Sequence, residues 1–213
     1  MNIVFLGPPG AGKGTMAERV ADESGLAHVS TGDIFRDNIR NETELGRAVK
    51  EIIDGGHLVP DELTIELVQD RLHEADVQLG WILDGFPRTR SQAEALSEFA
   101  RVDLVILLNI SDEEVIRRLS GRRVHPESGR TYHVQFNPPA KEGHDDVTGE
   151  PLITRDDDDE HAIQMRLSVY KEQTEPVIAY YRKRKLLVDV DASGTIDAVA
   201  TKIHALLKKQ QPS

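Results

Sequence analysis

The segment Gly7-Pro8-Pro9-Gly10-Ala11-Gly12-Lys13-Gly14-Thr15 constrains this chain more than any other, because it follows directly on an apolar run, Ile3–Leu6, and opens helical spacing. Strand, glycine loop and helix in that order make a phosphate cradle. Glycines let backbone N–H groups approach phosphate oxygens without a Cβ in the way, the helix N-terminus adds partial positive charge, and Lys13 adds a full mobile one. The general form of such loops has Ser or Thr immediately after the lysine, whereas here Gly14 intervenes before Thr15. The plainer alternative is a glycine turn joining a strand to a helix. Alone, the loop points to a held phosphate and not to a reaction.

Further short β-prone runs at His28–Ser30, Trp81–Leu83, Leu104–Leu108 and Leu186–Val190 alternate with longer helical segments. This pattern predicts an α/β fold with a five-stranded parallel sheet between layers of helices. The runs are apolar throughout instead of alternating, as expected of strands covered on both faces. Ser91-Gln92-Ala93-Glu94 and Ser111-Asp112-Glu113-Glu114 have capping-box spacing and predict helix starts. From about Gly121 to Asp159 the texture changes to Gly, Pro, Asp and His around β-prone pieces such as Arg130–Val134. A stretch this long is either a functional lid or a disordered linker, and its interleaved aromatic and β-branched residues favour a small β lid. The run Asp156–Asp159, taken alone, reads as a solvated acidic patch. Gly55-Gly56 marks a helix cap or hinge.

A net charge of −11 disfavours nucleic acid and membrane surfaces as partners. Any phosphate site must therefore concentrate its cations locally. With no cysteine there are no disulfides, no thiol chemistry and no Cys-based zinc site. The apolar N-terminus stops at Gly7, too short for a signal core, and no run reaches the ~20 residues that span a bilayer, so a cytoplasmic location is the default expectation.

The run Trp81–Leu83 leads into Asp84, then Gly85-Phe86-Pro87-Arg88. Ligands in doubly wound sheets gather at the carboxyl ends of strands, which would direct Asp84 toward the cradle. A carboxylate there suits Mg²⁺, which takes one or two carboxylates plus phosphate oxygens; a strand-terminal turn Asp is the alternative. Arg118 and Arg122 stand four apart at the end of a predicted helix and are expected to share a face. Each arginine alone reads as a surface residue. Yet Arg36, Arg88, Arg122, Arg155 and Arg166 fall at the borders of separate elements in an acidic chain, the local concentration a phosphate site needs.

With Ser30-Thr31-Gly32-Asp33-Ile34-Phe35-Arg36, Asp84-Gly85-Phe86-Pro87-Arg88-Thr89, Gly121-Arg122-Arg123-Val124-His125 and Asp145-Asp146-Val147-Thr148-Gly149-Glu150 added to the loop, the chain resembles the bacterial long-lid adenylate kinases from end to end. In that family Gly after the lysine is the usual form. The resemblance implies a P-loop three-layer core over 1–29, 60–120 and 160–213, an AMP-binding helical arm over 30–59 and a lid over 121–159. It implies ATP contacts from Gly10, Ala11, Gly12, Lys13, Gly14, Thr15, Arg118, Arg122, Thr131, Tyr132 and Gly194. It implies AMP contacts from Thr31, Arg36, His57, Leu58, Val59, Gly85, Phe86, Pro87, Arg88, Gln92, Arg155 and Arg166, with Gln92 reading the adenine edge. Lys13, Arg88, Arg122, Arg155 and Arg166 would act on the reacting phosphates, the last two closing over both nucleotides, and Asp84 would hold Mg²⁺ through water. Lids of this family bind zinc or replace it with polar side chains. His125, Ser128, Asp145 and Thr148 at those positions imply a hydrogen-bonded cluster without structural zinc. The resemblance also suggests a cis Phe86–Pro87 bond and a monomer whose partners are ATP, AMP and ADP.

An AMP phosphate oxygen is already anionic, so such a reaction needs alignment and charge neutralisation and no general base. That accords with the lack of an obvious catalytic histidine. The rivals are a UMP/CMP-type kinase and a nucleotide-binding switch that transfers nothing. Gln92 and the long lid argue against the first, and a second phosphate clamp of Arg36 and Arg88 argues against the second.

Overall fold

The computed structural model describes residues 1–210. The range 160–213 assigned to the core runs on over 211–213, which lie outside the described residues. Strand β1 (Ile3–Leu6) is buried at every position and lies in the middle of a five-stranded parallel sheet. Helix α1 (Lys13–Ser24) follows the glycine loop and ends at Gly25, whose left-handed φ of 70° lets its N–H cap the Ala21 carbonyl. After β2 (Ala27–Ser30) come α2 (Thr31–Arg40), α3 (Glu44–Asp54) and α4 (Asp61–Arg71). The hydroxyls of Ser30 and Thr43 cap α2 and α3, accepting from Asp33 and Gly46 N–H, and Gly55 is the C-cap of α3.

Then come β3 (Trp81–Asp84), α5 (Arg90–Phe99), β4 (Leu104–Asn109) and α6 (Asp112–Ser120). Strands β5 (Arg122–Val124) and β6 (Thr131–His133) form a separate antiparallel pair inside the 121–159 insert. Helices α7 (Glu160–Val169) and α8 (Glu175–Lys183) are joined by a π-helical turn, Tyr170–Thr174, just ahead of Pro176. Proline supplies no N–H and crowds the preceding turn, and a π-turn is one way a helix absorbs both faults. Strand β7 (Leu187–Asp191) and α9 (Ile196–Gln210) complete the chain.

The sheet order is β2-β3-β1-β4-β7. Its two faces explain the unbroken apolar runs. Ile3 and Phe5 of β1 join Ile82, Ile106 and Leu108 in packing on Met16, Ala17 and Val20 of α1 and on Val199, Ala200 and Ile203 of α9. Val4 and Leu6 point the other way, joining Leu83, Val105 and Leu107 against Val68 of α4, Leu96 of α5 and Val177 and Tyr181 of α8. Each fully buried Ile or Leu contributes about 1.5–3 kcal/mol, and burial on both faces leaves no polar position in the middle of these strands. A small cluster of Phe35, Val49 and Val59 holds the α2–α3 arm together. Arm and insert touch: Arg40 Nη1 donates to the carbonyls of Pro126 and Glu127 at 2.6 and 3.0 Å.

All five expected core strands form, each within a residue or two of its expected limits. Ser111 caps α6 as its spacing predicts, accepting from Glu114 N–H. The other cap is displaced: α5 starts at Arg90 with Thr89 as its cap, so Ser91 is already inside the helix. Thr89 to Gln92 has the same four-residue spacing, which is why the sequence signal could slide by half a turn. The pairing of Arg118 with Arg122 on one helix face does not occur. Helix α6 closes at Gly121 and Arg122 is the first residue of β5, so the two guanidinium groups bind different partners. The Phe86–Pro87 bond is cis, as expected. Among the described residues no helix is long and apolar enough to cross a membrane.

Candidate active site

Parallel register sets the stage. Asp84 ends β3 beside Ser30 of β2 on one side and Phe5 of β1 on the other, so the loops after these strands open at one edge of the sheet. The glycine loop leaves β1 there with Gly7, Gly10 and Gly12 at φ 145°, 74° and 90°, a conformation L side chains rarely adopt. Lys13 curls back across it, donating from Nζ to the carbonyls of Gly7 and Pro8 at 2.8 Å each. Burial lowers its pKa from 10.5 to about 8; Asp84 opposes this and Arg88, Arg166 and Arg122 reinforce it.

The cations of the cleft arrive from separate parts of the chain. Arg88 follows the cis proline and donates from Nε to Gly85 O at 2.8 Å; burial first, and Arg166 next, push it down to about 10. Arg155, just before the Asp156–Asp158 turn, is pushed down to about 9 by burial and by Arg122, and its buried Nε has no partner among the described residues. Arg166 on α7 is also lowered by burial, although Asp157 raises it. Arg36 on α2 reaches Asp33 at 2.6 Å. Lys13 and five arginines thus face Asp33, Asp84, Asp157 and Asp158. Cations outnumber carboxylates in a partly dry cleft, an arrangement that a bound polyanion relieves.

Two of those carboxylates were misjudged from sequence. Asp157 and Asp158 are buried, not solvated. Asp158 accepts a bidentate pair from Arg122 at 2.7 and 2.6 Å and a further bond from Arg166 at 3.0 Å. Burial alone would raise the Asp157 carboxyl, but Arg166, with Arg122, Arg36 and Arg155 around it, takes it below its ordinary value. Asp159, the last of the run, caps α7. The available signal was position: the run lies between two site arginines, Arg155 and Arg166.

Beside the cation cluster is a pocket lined by Thr31, Arg36, His57, Leu58, Val59 and Arg88, among others including Gly85 and Arg166. Phe86 and Pro87 lie buried behind it, and Gln92 is held between Arg88 and Asp61, the latter a partner that sequence reasoning did not single out. Across the sheet, Arg118 is gripped by Glu114 at 2.7 Å and donates to Ala192 O at 2.8 Å, which places it over the loop carrying exposed Gly194. Thr131 is exposed, whereas the Tyr132 ring is buried in the insert and its hydroxyl is committed to Asp145 at 3.0 Å. Also unforeseen, Phe136 stacks on His133 at 4.3 Å with Arg117 4.7 Å above it.

His125, Ser128, Asp145 and Thr148 are joined in one hydrogen-bonded cluster. His125 Nδ1 meets Ser128 Oγ at 2.8 Å, and Thr148 Oγ1 bridges His125 Nε2 at 3.3 Å and Asp145 at 3.0 Å. Glu150 joins at His125 Nε2, and Arg130 clasps Asp145 at 2.8 and 2.7 Å. These contacts, Arg130 foremost, hold the Asp145 carboxyl far below the usual carboxylate range.

The Asp84 carboxylate lies beside the glycine loop. A Cβ on Gly14 would come within 3.2 Å of its Oδ2, so its carboxylate lies against the helix start that carries Lys13 and Thr15, and it accepts no side-chain hydrogen bond among the described residues.

A parallel sheet with a glycine loop on its central strand and a ring of cations beyond it defines a P-loop phosphate-handling protein. The sequence comparisons specify which. A family profile described as Adenylate kinase matches residues 5–186. Curated proteins named Adenylate kinase include one from Lachnospira eligens, 50% identical over 97% of this chain and 100% of its own length, and one from Methanothrix thermoacetophila, 48% identical over 99% and 100%. A third, from Treponema denticola, is 52% identical over 93% of this chain and 95% of its own. The chain belongs to the adenylate kinase family and is a phosphotransferase.

Proposed function

We propose that this protein moves the terminal phosphoryl group of Mg-ATP onto AMP, reversibly, giving two ADP. The supporting observation is the excess of cations, Lys13 with Arg36, Arg88, Arg122, Arg155 and Arg166, set between the glycine loop and the Thr31–Val59 pocket. A site for one nucleotide needs one phosphate clamp; a site for donor and acceptor needs two, facing each other.

In this reading the backbone of Gly10–Thr15 and the Lys13 amine hold the ATP phosphates, with the adenine beside Arg118 and the Gly194 loop. Residues 121–159 act as a lid contributing Arg122, Thr131 and the backbone of Tyr132. Residues 30–59 form the acceptor arm: Arg36 and Arg88 clamp the AMP phosphate, Thr31, His57, Leu58, Val59 and Gly85 with Phe86-Pro87 frame the nucleoside, and Gln92 meets the base. Arg155 and Arg166 stand between the two phosphate groups. An AMP phosphate oxygen attacks the terminal phosphorus; that O–P bond forms as the bond to the bridging oxygen breaks, and the negative charge passes to the departing ADP. The attacking oxygen is already anionic, so no proton need be removed. The arginines offset the repulsion of two polyanions and hold them in line, each planar group grasping two oxygens. Mg²⁺ neutralises phosphate oxygens when bound, and Asp84 would hold it through water. The lid excludes water, the competing nucleophile; adenylate kinase is among the standard examples of such closure.

Offering AMP, GMP, CMP and UMP in turn with Mg-ATP tests this reading. AMP is expected to be the preferred acceptor by a wide margin; preference for UMP or CMP, or no acceptor dependence at all, would contradict it. The Lys13 ammonium gives a pH signature. In the free protein it loses its proton near pH 8, and a neutral amine holds phosphate less well. kcat/KM for ATP, which reports the free enzyme, is therefore expected to fall as pH rises through about 8. In the complex the phosphates favour the charged amine, so kcat should stay level to higher pH.

A further inference from the structure

Gln92 is 2% exposed, and its side-chain amide is held at both ends. Its Oε1 accepts from the Arg88 backbone N–H at 2.7 Å and its Nε2 donates to Asp61 Oδ1 at 2.7 Å. The other Asp61 oxygen accepts from Thr89 Oγ1 at 2.7 Å, and Thr89 Oγ1 accepts from the Gln92 backbone N–H at 3.2 Å. Asp61 thus closes a ring from the start of α4 to the cap and first turn of α5. A backbone N–H only donates and a carboxylate only accepts, so the amide is satisfied in one orientation, oxygen toward Arg88 and nitrogen toward Asp61. Turned over, it would set N–H against N–H and oxygen against carboxylate, leaving buried polar groups unpaired.

We propose that Asp61 is a positioning residue for acceptor choice: by pinning the Gln92 amide it makes the site take adenine and refuse guanine. This rests on the reading that Gln92 meets the acceptor base. What Gln92 has left is one N–H and one oxygen lone pair. Adenine offers the complement, an amino donor beside a ring-nitrogen acceptor. Guanine puts an oxygen where adenine has its amino group and, on the pairing edge, an N–H where adenine has a bare nitrogen. The pinned amide then meets oxygen with oxygen and N–H with N–H. A freely turning glutamine serves either purine. Asp61 also begins α4, where a carboxylate suits the helix dipole, and it braces α4 against α5. A purely bracing role leaves purine choice unchanged.

The test is kcat/KM for AMP and for GMP, with Mg-ATP and the full chain, in the wild type, Asp61→Asn, Gln92→Ala and the double variant. The AMP-to-GMP ratio is taken within one preparation, so an inactive fraction cancels. Asparagine can offer Gln92 a donor or an acceptor, so Asp61→Asn is expected to lower the ratio at least about tenfold, mainly through a higher KM for AMP. In the Gln92→Ala background, where the ratio is already low, Asp61→Asn should change it no further. An unchanged ratio in Asp61→Asn, or the same drop in both backgrounds, would overturn the positioning role while leaving Gln92 as the base reader. A wild-type ratio in Gln92→Ala would overturn the base-reading itself and this proposal with it. Should Asp61→Asn fail to fold, Thr89→Val loosens the same carboxylate from its other oxygen; a ratio about threefold lower supports the role and an unchanged one overturns it.

Discussion

Arg88→Ala is expected to lower kcat on the order of 10²–10³-fold while the protein stays folded. The guanidinium makes one hydrogen bond, to Gly85 O, and has no carboxylate hydrogen-bonded to it among the described residues. Burial and the nearby Arg166 already press its pKa down to about 10, which means that the folded protein holds this cation at a cost. Removing it relieves repulsion with Arg166, Arg36 and Lys13, so the thermal midpoint without nucleotide should not fall. In the proposed reading, what is lost is the group that clamps the acceptor phosphate. Steady-state rates and thermal unfolding on the same preparation check both halves; near-wild-type turnover would remove Arg88 from the chemistry.

Asp158→Ala should behave in the opposite way. The Asp158 side chain is fully buried and takes three hydrogen bonds, two from Arg122 and one from Arg166. Truncating one member of a buried ionic set leaves the others uncompensated and typically costs about 3–5 kcal/mol. Here Arg122 would be stranded, and Arg166 left with Asp157 alone, in a cleft already rich in cations. The expected outcome is a marked fall in unfolding free energy in denaturant titrations without nucleotide. Saturating ATP or ADP should recover part of it, because phosphates replace the missing charge and a ligand that binds only the folded state stabilises it. An Asp158→Ala protein as stable as wild type would mean that the carboxylate does not hold these arginines.

These two residues also show how far the sequence could be read. Arg88 was legible because it stands in a local string, Asp84–Arg88, at the end of an apolar run, and strands buried on both faces announce themselves by composition alone. Asp158 was not legible in that way. Its partner Arg122 lies 36 residues earlier, across the whole insert, and the one local hint that the acidic run is buried is its place between Arg155 and Arg166. Asp61 is hidden for the same reason, since its bond to Gln92 joins residues 31 apart. The misplaced Ser91 cap and the supposed Arg118–Arg122 face are errors of half a turn to one turn, the scale at which a propensity pattern loses phase and Gly121 ends a helix. The polar cluster of the insert was read in outline from His125, Ser128, Asp145 and Thr148, while Arg130, Tyr132 and Glu150 complete it through packing that only the folded insert brings about.

The most direct test follows the phosphorus. With ATP labelled in its terminal phosphoryl group, Mg²⁺ and AMP, label should appear in ADP in step with AMP consumed, and inorganic phosphate should stay near background. Label released as inorganic phosphate, or ATP turnover indifferent to AMP, would contradict transfer between two nucleotides across the arginine cluster.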